Sequence, residues 1–108
     1  MKESLKVLEE CKNLQIKKSE DYQNKHSTVK QSDYYPRGCL SLFDIMHGKL
    51  LRIKSVLESN NKPNFESLED SAKDLINYSS FFVSYLRGKM EGQSLDKDFL
   101  NKKNNKGF

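Results

Sequence analysis

Apolar residues recur every three or four positions in three stretches of this chain, and two polar breaks separate them. That is the spacing of helices that each bury one face. The first stretch predicts a helix from about Lys2 to Lys25, with Leu5, Leu8, Cys11 and Ile16 as a loose stripe. Its second half, "KKSEDYQNK", is almost entirely polar, so packing of the front half must hold it. Residues 26–40, "HSTVKQSDYYPRGCL", carry Pro36 and Gly38 with no period and predict a long loop. A second helix is expected over 41–58, where Ser41 followed by Asp44 has the form of an N-cap with an acidic residue three positions on. In it Leu42, Met46, Leu50, Ile53 and Leu57 share a narrow arc, flanked by Phe43, Ile45 and Val56. "SNNKPN" then breaks the pattern at Pro63.

The third helix is expected from about Phe65 to Glu91, with Gly88 as a stop and Gly92 as the alternative. Phe65, Leu68, Ala72, Leu75, Ile76, Ser79, Phe82, Val83 and Leu86 form its broad, mostly apolar face. No segment alternates like a strand and no internal repeat is present. The fold class is therefore all-α, a small bundle of three main helices. Residues 1–92 make the bundle domain, and 93–108, rich in Lys and Asn, are expected to form a mobile tail. Three helices in a chain of 108 residues make a thin core, which a homodimer would complete.

Composition narrows the partners. Hydrophobic content is 35% and charged content 31%, within the globular range, and the net charge is a modest +4. All cations but Arg37, Arg52 and Arg87 are Lys, and they are scattered along the chain, which argues against nucleic acid as a partner. Two cysteines and no apolar leader point to thiols in a reducing cytoplasm. No stretch approaches the roughly 18 apolar residues of a spanning helix, so no membrane is expected.

The candidate chemistry centres on the third helix. At about 100° per residue, Glu66, Asp70, Asp74 and Asn77 share one face, turned away from the apolar one. A solvated face is the plain reading. Against it, Tyr78, Phe81 and Tyr85 continue the same face, which points to a second buried surface, either a pocket or a subunit contact. Three acids spaced four apart also repel one another by about a few tenths of a kcal/mol per pair unless a cation lies among them. That cation is Mg²⁺, or else Lys49 and Arg52, which project from the edge of the second helix's apolar arc and could pair with the acids or hold phosphate. In the loop, Tyr34 and Tyr35 beside Arg37 suit stacking of a base, or plugging of the bundle end. His26 and His47 have no Cys partner at ligand spacing, and there is no glycine-rich phosphate loop or nucleophile motif.

The ordered set "KKSEDY" at 17–22, "SLFDIMHGKLLRI" at 41–53 and "ESLEDSAKDLINYSSF" at 66–81 resembles the phage- and bacterium-borne nucleotide-modification-associated family, a small all-α group likened to MazG-type pyrophosphohydrolases. The matching positions are Lys18, Asp21 and Tyr22; Ser41, Asp44, Lys49, Arg52 and Ile53; and Asp74, Ile76, Asn77 and Tyr78. The resemblance implies a MazG-like bundle that binds a nucleotide. Asp21, Tyr22, Tyr35, Arg37, Lys49, Arg52, Asn77 and Tyr78 are the candidate nucleotide contacts, and Glu66, Asp70 and Asp74 the candidate Mg²⁺ ligands. A catalytic member would cleave a (deoxy)nucleoside triphosphate to monophosphate and pyrophosphate. No catalytic residue is assigned. Lys49-x-x-Arg52 stands roughly where MazG-type enzymes carry Glu-x-x-Glu, which keeps two alternatives open: a non-catalytic protein sequestering a nucleotide or nucleotide-derived signal, and a protein inhibitor acting through the Tyr78–Phe81–Tyr85 face.

Overall fold

The computed structural model describes residues 2–22, 26–59 and 64–94, apart from the side chains of Asp21 and Tyr22. Every regular element among them is helical: α1 (Lys2–Tyr22), a 3-10 turn (Gln31–Tyr34), α2 (Cys39–Leu57) and α3 (Phe65–Leu86). The expected all-α fold of three helices is what forms. Both α1 and α2 pack on α3, the central element. Lys49 meets Asp74 and Arg52 meets Ser67, an order that runs α2 antiparallel to α3. Cys11 meets Lys73 and Gln15 meets Asn77, which runs α1 parallel to α3.

The helix ends differ from expectation in two places. α2 begins at Cys39, with Gly38 rather than Ser41 at the N-cap and no side chain bonding there. The Ser41 hydroxyl instead accepts from the Arg37 amide at 2.9 Å, and Asp44 pairs with the Arg37 guanidinium. Gly38 has φ 61, and a Cβ there would sit 2.7 Å from the Tyr85 ring, so glycine lets the chain close against α3 before α2 starts. α3 ends at Leu86 rather than Glu91. Gly88, with φ 70, donates to the Tyr85 carbonyl at 2.9 Å and the next amide, Lys89, to Ser84 at 3.1 Å, a Schellman closure. At the start of α3, Asn64 Oδ1 accepts from the Ser67 amide at 3.0 Å, a side-chain cap.

Residues beyond α3 turn back onto the bundle end. Met90 is buried, the Ser32 amide donates to the Glu91 carbonyl at 3.0 Å, and Lys30 pairs with Glu91. The Gln93 side chain donates to the Tyr85 carbonyl at 2.9 Å and accepts from the Met90 amide at 3.1 Å. Gln93 thus belongs to this packed end, while residues 95–108 of the expected tail lie outside the described residues.

The core gathers where the loop, the start of α2 and the end of α3 meet. Tyr35, Cys39, Leu42, Tyr85 and Met90 are buried, with Ile45, Tyr78, Phe81, Phe82 and Leu86 packed around them. Here the fold departs most from the sequence pattern. The stripe expected to face inward on α3 is split: Phe65 is 75% exposed and Ala72 and Val83 are exposed too, Leu68, Leu75, Ile76 and Ser79 are half-buried, and Phe82 and Leu86 pack against the core. The aromatic half of the other face turns inward, with Asn77 and Tyr85 buried, as is Ser71, while its acids Glu66 and Asp70 stay exposed. Tyr78, Phe81 and Tyr85 bring three large aromatic rings to that face, where they join the core. Its polar members are satisfied by the neighbouring helices: Gln15 donates to Asn77 Oδ1 at 2.8 Å and to Ser80 Oγ at 2.9 Å, and Lys49 pairs with Asp74 at 2.9 Å. Among the described residues no buried side-chain nitrogen or oxygen lacks a partner, so the hydrogen bonds offset the cost of burying this polar face. The expected arc of α2 splits in the same way, with Leu42 fully buried and Leu50 and Leu57 exposed.

Candidate functional site

A groove of about 730 Å³ opens between α2 and the first turns of α3. Asp44, Ile45, Gly48, Lys49 and Arg52 line one wall, and Asn64, Glu66, Ser67, Asp70 and Ser71 the other. The helical repeat explains the first wall: these positions of α2 fall one turn apart on the side away from Leu42's outer neighbours Phe43 and Leu50. Lys49 reaches Asp74 Oδ2 at 2.9 Å. Arg52 makes a 3.5 Å contact with Ser67 Oγ, the outer limit of a hydrogen bond, and no ion pair among the described residues. Its guanidinium therefore enters the groove with most of its donors uncommitted within this part of the chain. The opposite wall includes the N-terminal turn of α3, whose backbone amides carry partial positive charge.

The candidate residues divide sharply in this geometry. Lys49, Arg52, Glu66 and Asp70 line the groove together. Asp74 does not: it is held between Lys49 and Lys18, the latter at 3.8 Å. Glu66, Asp70 and Asp74 therefore share a helix face without converging, and no group of three or more His, Cys, Asp or Glu among the described residues could hold a metal ion. Arg37 pairs with Asp44 at the groove edge. Asn77, Tyr78 and Tyr35 lie elsewhere. Asn77 is buried against Gln15, and Tyr78 packs edge-on to Phe81 with ring centroids 5.6 Å apart. Tyr35 is a core residue whose phenol is pushed up to about 12 by burial, with Tyr78 adding to the shift. Its neighbour Tyr34 is exposed. The side chains of Asp21 and Tyr22 lie outside the described residues.

Several groove residues escaped the sequence reading. Gly48 is the most telling, since it sits in mid-helix where a Cβ would meet nothing within 4 Å. A helix-interior glycine with no neighbour demanding it was a signal available in the sequence, as was Asn64 before Phe65 as an N-cap. On the far side of α3, Lys73 bridges Glu10 at 3.0 Å and Glu69 at 3.1 Å. Hydrogen bonds to these two carboxylates raise the lysine above its ordinary range. Burial pushes the Cys11 thiol up, partly offset by Lys73, and neither Cys11 nor Cys39 is bridged by a disulfide.

Compared with family models, curated proteins and solved structures, the chain matches none. No helix among the described residues is long and apolar enough to cross a membrane.

Proposed function

We propose that the chain is a nucleotide-binding, MazG-like helical protein whose phosphate site is the groove between α2 and α3. The observation that carries this reading is the convergence of Lys49, Arg52 and the first turn of α3 on one cavity. Its volume falls within the roughly 300–1,000 Å³ of small-molecule sites. Arg52 supplies a fork that matches phosphate oxygens, Lys49 a point charge, and the α3 N-terminus the partial positive charge of its first turn. Gly48 fits the same role. A glycine inside a helix costs about 0.8–1 kcal/mol relative to alanine, and in return leaves the α2 backbone open to close approach by a ligand.

The acids of the groove bear on what form the ligand takes. Asp44, Glu66 and Asp70 would repel a bare phosphate chain. Mg²⁺ bound through one or two carboxylates, its own waters and the ligand's phosphates relieves that repulsion, and Glu66 and Asp70 are the residues to hold it. A dedicated protein cage of carboxylates is not part of this reading. Because Asp74 is committed to Lys49 and Lys18, the reading favours retention of the nucleotide over its hydrolysis. The binding unit is a homodimer.

Titration calorimetry with nucleoside mono-, di- and triphosphates, in Mg²⁺ and in EDTA, tests this, with chromatography of the recovered ligand. The expected outcome is an unchanged nucleotide bound more tightly in Mg²⁺. Arg52→Ala should weaken it at least about tenfold, the value of one charge-assisted contact. Gly48→Ala should weaken it as well, while raising thermal stability. Absence of binding across the panel, or binding indifferent to both substitutions, refutes the site. Mg²⁺-dependent release of monophosphate would replace retention by pyrophosphohydrolysis.

A further inference from the structure

The outward stripe of α3 and the outward part of α2 share a period that a solvated surface has no reason to keep. On α2, Phe43, Met46, Leu50, Ile53 and Leu57 follow steps of three and four, the a and d positions of successive heptads. On α3 the same alternation runs through Phe65, Leu68, Ala72, Leu75 and Ser79, after which Phe82 and Leu86 turn onto the core. The a positions of α2 are the exposed ones, with Leu50 at 55%, and Phe65 and Ala72 open the stripe on α3. Around each helix the stripe lies about 90–120° from the line that faces the other helix. In an antiparallel pair those rotations bring both stripes to the same side. α1 approaches α3 from the opposite side, through Lys73, Asn77 and Ser80, and the groove also opens there.

We infer that this two-helix face is a docking surface for a second copy of the chain, joined face to face into a four-helix bundle. Its extent suits a small contact with that occupant. A face about 20 Å long and two helices wide, roughly 20 Å, presents about 400 Å² in projection, the scale of a small interface beside the ~800 Å² per partner of a standard one. An a/d seam on both helices is self-complementary, as a two-fold contact requires. The chain's own residues 95–108 are a poor cover, because Leu95, Phe99, Leu100 and Phe108 are their only large apolar side chains among lysines and asparagines. The groove stays open on the reverse face, so each protomer keeps a whole one. This assignment stands independently of the nucleotide reading.

Sedimentation equilibrium on the full chain is the test, since it reads mass without reference to any ligand. The wild type should run at about twice the 12.6 kDa chain mass, and Leu50→Glu with Ala72→Glu at the single-chain mass with helicity unchanged. Leu8→Glu, at an exposed position on α1, should leave the dimer intact. If the double variant loses helicity, hydrogen exchange on the wild type at low and high protein concentration replaces it. Protection should then rise over 43–57 and 65–86 and not over 2–22. A single-chain wild-type mass, a dimer that survives the double substitution, or concentration-dependent protection confined to α1 each overturns the assignment; the first of these would leave residues 95–108 as the cover.

Discussion

Leu42→Ala and Leu50→Ala probe the fold most directly, because they separate two leucines that share one arc of α2 in the sequence. In the fold Leu42 is 0% exposed and lies against Tyr35, Cys39, Tyr85 and Met90, whereas Leu50 is 55% exposed. Truncating Leu42 removes three carbons from the core, about 2–2.5 kcal/mol at ~0.8 per methylene. The cavity left, of about 50–70 Å³, adds roughly 1–2 kcal/mol. Met90 is unbranched and recovers part of that by moving in. The sum is about 3–4 kcal/mol, a large share of the ~5–15 kcal/mol that stabilises a domain. Leu50→Ala in separated protomers should cost no more than about 1 kcal/mol, as surface substitutions do. Urea unfolding followed by circular dichroism, at a protein concentration low enough to hold protomers apart, measures both. With a slope of about 1–1.5 kcal/mol per molar urea, the midpoint should fall about 2–4 M for Leu42→Ala and under about 1 M for Leu50→Ala. Raising the protein concentration should enlarge the Leu50→Ala cost and leave the Leu42→Ala cost unchanged. Equal midpoint shifts in dilute solution would refute the packing, since they would mean the whole arc faces inward.

Other substitutions test the remaining contacts. Tyr35 ionises near ~10 in an unfolded chain and at about 12 in the fold, so the folded state holds its proton longer. Its contribution is intact below pH ~10 and lost as pH rises toward 12, about 2–3 kcal/mol in all; Tyr35→Phe should flatten that alkaline loss in denaturation curves measured at stepped pH. Gly38→Ala brings a Cβ to 2.7 Å from the Tyr85 ring at φ 61, and should lower stability by about 2 kcal/mol or more in thermal melts. Gln15→Leu leaves buried Asn77 Oδ1 without the donor that meets it at 2.8 Å, an expected loss of about 1–2 kcal/mol. A thermal melt within about half a degree of wild type would show that water replaces Gln15.

Much of the architecture was legible from local pattern. Gly88 stops α3 because only a residue at ease with positive φ closes the Schellman turn there, and Pro63 marks the break before Phe65. The inward acid of α3 was half legible: Lys49 inside an apolar arc needed a partner, and Asp74 was among those offered. The groove was not legible. Ser67, Asn64 and Gly48 acquire meaning only once α2 lies antiparallel across the first turns of α3, with Arg52 opposite Ser67.

Sequence periodicity determined that there are three helices, where two of the breaks fall, and that α3 has an apolar face and an acid–aromatic face. It could not determine which face points inward. That choice depends on what the neighbouring helices bring: Gln15 for Asn77 and Lys49 for Asp74 make the polar members of one face inexpensive to bury, and Tyr78, Phe81 and Tyr85 then add their aromatic rings to the core. Hydrophobic spacing is a property of one helix, whereas the cost of burying a polar group is set by its partner. Only the tertiary structure supplies that partner, and so it alone decided that Asn77 and Tyr85 of α3 lie inside while Phe65, Ala72 and Val83 are left outside.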